Sequence, residues 1–298
     1  MKAFHAKHTL PATAAALAVG AGAQIAAAQD DQPHADEERQ LIAVLQSDAA
    51  PLDKDLACRR LAVIGTKAAV PALAALLSDE QLCGIARVGL EPIPDPAVDD
   101  ALRAAMGSLK GRQLIGVIGS IGVRRDRKAV PALVRLLADA DEGVAGAAAT
   151  ALGKIGDAPS AAALERALGT APAAVRPVVG DACLRCGQAL VADGRRSRAL
   201  ALYDRVRQAD LPAHILAAAT RGAVLERGAA GVPLLVELLK TGDGEMLAIG
   251  LRLVREVPGA EVSKTLTAEL PNLPADRRDL VTQALKQRSD AEEPGGGE

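Results

Sequence analysis

The chain has 298 residues, 49% of them apolar, enough to bury a large core and too many for general disorder. Ala, Leu and Val dominate that share, with one Phe, one Tyr and no Trp; β-sandwiches and barrels lean on aromatic and β-branched residues, so an all-α chain is predicted. A net charge of −2 with almost no rings for base stacking argues against a nucleic-acid partner, and no cofactor is expected.

At the N-terminus, Lys2 and Lys7 precede an uncharged, Ala-rich run from Leu10 to Ala28 that ends in three alanines. A basic start, an apolar middle and small residues at a cut site predict a signal peptide over residues 1–28, cleaved after Ala28 or Ala23. The mature protein would be exported, periplasmic or extracellular, with 33 basic against 37 acidic residues and no membrane span. A retained anchor is the poorer reading, since spanning a bilayer takes about 20 strongly apolar residues. Residues 29–37 read as a flexible, acidic lead-in.

From residue 38 to 288 the pattern repeats. Ile42, Leu73, Leu102, Leu133, Leu164, Leu202, Leu235 and Leu266 form a ladder with gaps of 31, 29, 31, 31, 38, 33 and 31 residues. Seven of the eight positions four residues further on are apolar, which gives each ladder helix an i, i+4 stripe. A fixed period of this size indicates stacked helical hairpins. The first helices are expected near 53–65, 109–122, 142–156, 175–193, 212–226, 245–256 and 275–287. Gly65, Gly122 and Gly156 are read as left-handed stops, and Pro71, Pro131 and Pro233 as first-turn residues of the helices that follow. The doubled stretch Lys110–Leu168 is the most regular, pairing Ile118-x-x-Ile121-Gly122 with Leu152-x-x-Ile155-Gly156. Between Asp79 and Asp99, three prolines predict a short helix followed by a rigid turn. The tail at 289–298 is expected to be disordered.

The L-x-x-I-G, A-V-P-A-L and L-L patterns resemble HEAT repeats in the short form called phycobilisome-lyase HEAT-like, and exported bacterial HEAT proteins. Residues 178–211, with Gly187, Gly194, Ala199 and Tyr203, resemble one tetratricopeptide hairpin. The resemblance implies a right-handed α-solenoid of about eight hairpins whose inner face binds macromolecules, with no catalytic residues. Its leading functional reading is a scaffold for a protein partner. The alternative is a bilin-lyase-like enzyme or an accessory subunit for a cytochrome or dehydrogenase.

Two surfaces could hold such a partner. Arg124, Arg125, Arg127 and Lys128 form a basic cluster in an interhelical turn, suited to an anionic group or, more blandly, to solvent. Two residues past the ladder leucines, Arg135 and Arg166 are followed by Asp204 and Glu237, a dipolar stripe if the positions line one groove. Cys183-x-x-Cys186 lies within a predicted helix and lacks the second ligand pair a zinc site needs, so it reads as core. Cys58 and Cys83 fall in adjacent helices, where a disulfide is conceivable but geometrically demanding. Of the two histidines beyond residue 28, neither His34 nor His214 has a nucleophile or metal partner at a recognised spacing.

Overall fold

The computed structural model describes residues 34–242 and 244–292, with side chains through residue 288. The signal-peptide segment, the lead-in before residue 34 and the tail beyond 292 lie outside the described residues. Described residues are helical or turn, with no strand among them, so the fold is an all-α array of helical hairpins.

Helix α1 occupies residues 34–46. The hairpins are α2 (Pro51–Ile64) with α3 (Val70–Ala75), α4 (Cys83–Leu90) with α5 (Pro96–Ser108), α6 (Gly111–Arg124) with α7 (Val130–Leu136), and α8 (Glu142–Ile155) with α9 (Ala158–Thr170). They continue as α10 (Arg176–Ala192) with α11 (Arg196–Arg207), α12 (Ala213–Arg227) with α13 (Val232–Thr241), and α14 (Gly244–Glu256) with α15 (Ala260–Glu269); α16 (Ala275–Glu292) is single. Among the described residues this is seven complete hairpins with a lone helix at each end of the series, in keeping with the expected array of about eight. The chain forms two compact units, one up to Ala101 and one from Leu102, so the division falls inside α5.

In the first unit, α4 packs on α2 and α3. A two-point bond from Arg60 to Glu37 at 2.6 and 2.8 Å joins α1 to α2, and buried Glu38 accepts the Thr66 N–H at 2.6 Å. Residues 34–37, expected in the lead-in, therefore belong to a packed helix. Ile42 is only half-buried, while Leu45 takes the core position in α1.

In the second unit the helices form two layers. First helices stack on one another (α6 on α8, α8 on α10, α12 on α14, α14 on α16), and second helices do likewise (α7 on α9, α9 on α11, α13 on α15). Ladder residues Leu102, Leu133, Leu164, Leu202 and Leu235 are 0% exposed, each a fully buried side chain contributing about 1.5–3 kcal/mol. The 38-residue step is explained by α10, 17 residues long. Tyr203 of α11 fills the space left by two glycines: a Cβ at Gly187 would stand 2.5 Å from its ring, and one at Gly222 2.9 Å.

Gly122 is not a stop. Helix α6 runs through it to Arg124, and a Cβ there would stand 2.9 Å from Ala151 Cα. Gly153 meets Ala182 Cα at the same 2.9 Å, so Gly122 corresponds to Gly153, 31 residues on, and not to Gly156. The sequence pairing of the two motifs was out of register by three residues. Gly65 does end α2, but at an extended φ of −64°, where the conflict is a Cβ 2.3 Å from Leu61 O.

Seven residues before the ladder leucine, a short polar side chain caps the second helix. Thr66, Asp95, Asp126 and Asp157 accept the N–H groups of Ala68 (3.2 Å), Ala97 (2.8 Å), Lys128 (3.0 Å) and Ser160 (2.8 Å). These caps satisfy donors that a helix start leaves orphaned. At the C-terminal end, Arg288 is 2% exposed and donates to the carbonyls of Val254 (3.1 Å), Val257 and Gly259 (2.8 Å) and to Ser263 Oγ (2.8 Å). A cation there meets the negative end of α14. The helix thus carries four residues past the expected end of the array.

Removing the ring that joins three helices should be costly. Tyr203→Ala is expected to lower unfolding free energy by about 3–5 kcal/mol, the range for deleting a buried aromatic. Urea unfolding followed by circular dichroism measures it, and a loss below 1 kcal/mol would contradict this packing.

Candidate functional site

Turn geometry places the basic cluster. At the end of α6 the Asp126 N–H reaches Ile121 O and the Arg125 N–H reaches Gly122 O, both at 3.2 Å, the pair of bonds that closes a helix through one left-handed residue. That residue is Arg125, at φ 54° and ψ 42°. In the same register, eight residues before the ladder leucine, stand Gly156 at φ 69° and Gly194 at φ 75°. Among the described residues Arg125 is the only non-glycine with positive φ. The left-handed region costs an L-residue of the order of 1 kcal/mol, and glycine avoids that cost.

Between the C-terminal ends of α6, α8 and α10 lies an open groove of about 530 Å³, within the range of ligand-binding clefts. Arg125, Arg127, Lys154 and Arg185 line it, with Asp193 as the single carboxylate. Gly122, Gly153, Ile155 and Ala189 contribute to its floor. None of the four cations makes an ion pair among the described residues.

The helix dipole accounts for part of this charge: Lys154 lies in the last turn of α8, where a cation is favoured by about 0.3–1 kcal/mol. It does not account for Arg127, which begins the next helical turn, nor for Arg185, which lies almost two turns before the end of α10. Elsewhere in this unit cations are used between hairpins. Arg198 bonds Glu165 at 2.8 Å, Arg221 bonds Glu256 at 2.9 Å and Lys240 bonds Glu269 at 2.8 Å.

The other expected site residues are scattered. Arg124 is half-buried and already engaged, and Lys128 is exposed but does not line the groove. Asp126 is 8% exposed, pairs with Arg103 of α5 and caps the next turn, so it belongs to the scaffold. Of the dipolar stripe, Arg166 and Glu237 line different clefts. Arg166 lines a 380 Å³ cleft between α7 and α9 whose lining does not include Arg135. Asp204 is taken up by Arg207 and Arg227, and Glu237 lines a smaller cleft of 170 Å³ with Arg207. Sequence reasoning missed Lys154 and Arg185; a 31-residue register anchored on Gly122 and Gly153 would have aligned their helices with Arg125.

All four cysteines are free and buried. Burial pushes the Cys58 thiol up to about 11 and Cys186 to about 12, and raises Cys183 as well. The thiolate is the reactive form, so these side chains act as small core residues. Among the described residues no group of three or more His, Cys, Asp or Glu is arranged to hold a metal ion, and no helix is long and apolar enough to cross a membrane.

Two measurements check this. A small disulfide reagent should leave all four thiols unmodified in native buffer and modify all four in denaturant; rapid labelling of the native chain would contradict the burial. Because the folded values of Cys58 and Cys186 lie above the ordinary 9.0, their contribution is complete below pH 9 and is lost as pH rises towards about 12. Stability measured from pH 8 to 11 should therefore fall, and a rise would refute the assignment.

Comparison with known proteins places the array. The family described as HEAT repeats matches residues 100–180, which span α6 to α9 and the groove's first two walls. No curated protein sequence matches the chain. Among solved structures it is similar to the complex of CpcE and CpcF of phycocyanin lyase from Nostoc sp. PCC7120. The identity is 21%, the match covers 84% of this chain and 94% of that one, and the TM-score is 0.35, too low to carry over shape or activity. The HEAT-repeat match over residues 100–180 agrees with the helical hairpins that the chain forms there.

Proposed function

We propose that the chain is an exported, non-catalytic scaffold that holds a protein partner by the basic groove at the ends of α6, α8 and α10. The observation that carries this reading is the contrast in charge use: four cations converge on one groove with no ion pair among the described residues, while neighbouring hairpins in the same unit pair theirs with carboxylates. Guanidinium groups stay charged at any physiological pH and donate hydrogen bonds only, so they recognise anions and transfer no protons. HEAT motifs supply a frame of helices for such a surface, and function rests on the site they carry.

Export is supported by Lys2, Lys7 and the Ala-rich run that follows them. Mass spectrometry of the protein recovered from its native host should find a mature N-terminus at Gln29 or Gln24; an intact Met1 would overturn export.

The scaffold reading is tested by affinity capture with the mature chain and with a variant carrying Glu at Arg125, Arg127, Lys154 and Arg185. A defined, salt-sensitive complex in a fixed ratio is expected for the native chain, and its loss in the variant. Covalently attached bilin or haem on the purified chain, with no such complex, would replace the scaffold with a lyase-like role.

A further inference from the structure

Arg125 occupies a position where the chain itself shows the easier solution. Gly156 and Gly194 close the corresponding helices with the same left-handed geometry and no side chain. An arginine there strains the backbone and gains no ion pair among the described residues in return. Strained residues persist where the surrounding structure enforces them, and they concentrate at functional sites. Its neighbours point the same way, because Arg127, Lys154 and Arg185 line the same groove from three separate segments.

We infer that this groove binds a carboxylate-bearing, extended segment of a protein partner, and that Arg125 is the specificity-determining contact, held at the cost of local stability. The inference deepens the scaffold reading above and rests on it. Three features select this occupant. Planar guanidinium groups match carboxylates with two parallel hydrogen bonds. Gly122, Gly153, Ile155 and Ala189 give the groove a small, partly apolar floor on which an extended backbone with short side chains can lie. Asp193 interrupts the positive lining, which suits spaced carboxylates better than an unbroken run of phosphates, and the one buried ring, Tyr203, is not among the groove's lining residues to stack a base.

The experiment uses the mature chain and a fluorescein-labelled peptide alternating Glu and Ala, with the Gln counterpart as the neutral control. The native chain should bind the Glu peptide about tenfold more tightly than the Gln peptide at low salt, with the gap closing at high salt. R125G should weaken Glu-peptide binding about tenfold while raising Tm by roughly 2–4 °C, since strain is relieved as the contact is lost. R125K should keep most of the binding and leave Tm where it was. R185Q, on the exposed side of α10, should weaken binding with no change in Tm.

Opposite movement of affinity and stability at one residue is the signature that a merely structural arginine would not give. Equal binding by the native chain and R125G would overturn the inference. So would a lower Tm in R125G, or a single-stranded DNA of the same charge binding more tightly than the peptide. In each case the scaffold reading, judged by its own capture experiment, would stand or fall separately.

Discussion

Close approach of successive first helices is the constraint from which the second unit follows. At the contacts of α6 with α8 and of α8 with α10, a Cβ at Gly122 or Gly153 would stand 2.9 Å from the facing alanine Cα. A methyl group at either place would force the helices apart, which interiors packed to crystal density tolerate poorly. Once those distances are set, the ladder leucines of the second helices reach a shared core and exclude water. Where the chain departs from this contact it does so by substitution in kind: Gly187 and Gly222 yield space to the ring of Tyr203, and α10 lengthens to reach it.

The same geometry puts the groove at the hairpin ends. Helices that run side by side in register stop side by side, so the residues that end α6, α8 and α10 gather along one edge. Each of these stops uses a left-handed residue eight positions before the ladder leucine, and α7 and α9 then start from an aspartate cap one residue later. Against that regular background Arg125 stands out as a choice the fold does not require. A regular array thereby makes a departure from its own rule informative, which a less repetitive fold would not.

Periodic features were legible in the sequence. The ladder, the prolines in the first turn of second helices, the shortened α4 before its proline-rich turn and the longer hairpin of α10 and α11 all depend on local spacing and backbone chemistry. Register across the hairpins was less legible. Two glycines, Gly122 and Gly156, looked alike because each follows an Ile, yet one is a packing contact and the other a turn. Spacing also says nothing of partners: Asp204, two residues past a ladder leucine, pairs with arginines from its own helix and from α12.

What the sequence determined by itself was the all-α class, the period and the buried state of Cys183 and Cys186, because each follows from composition and from which residues recur on one helix face. Only the tertiary structure decided that Arg125, Arg127, Lys154 and Arg185 share a groove, that Asp126 serves the fold, and that Arg125 is strained. Those facts depend on which helices lie next to each other and on a single φ angle. A linear pattern of residue types carries neither.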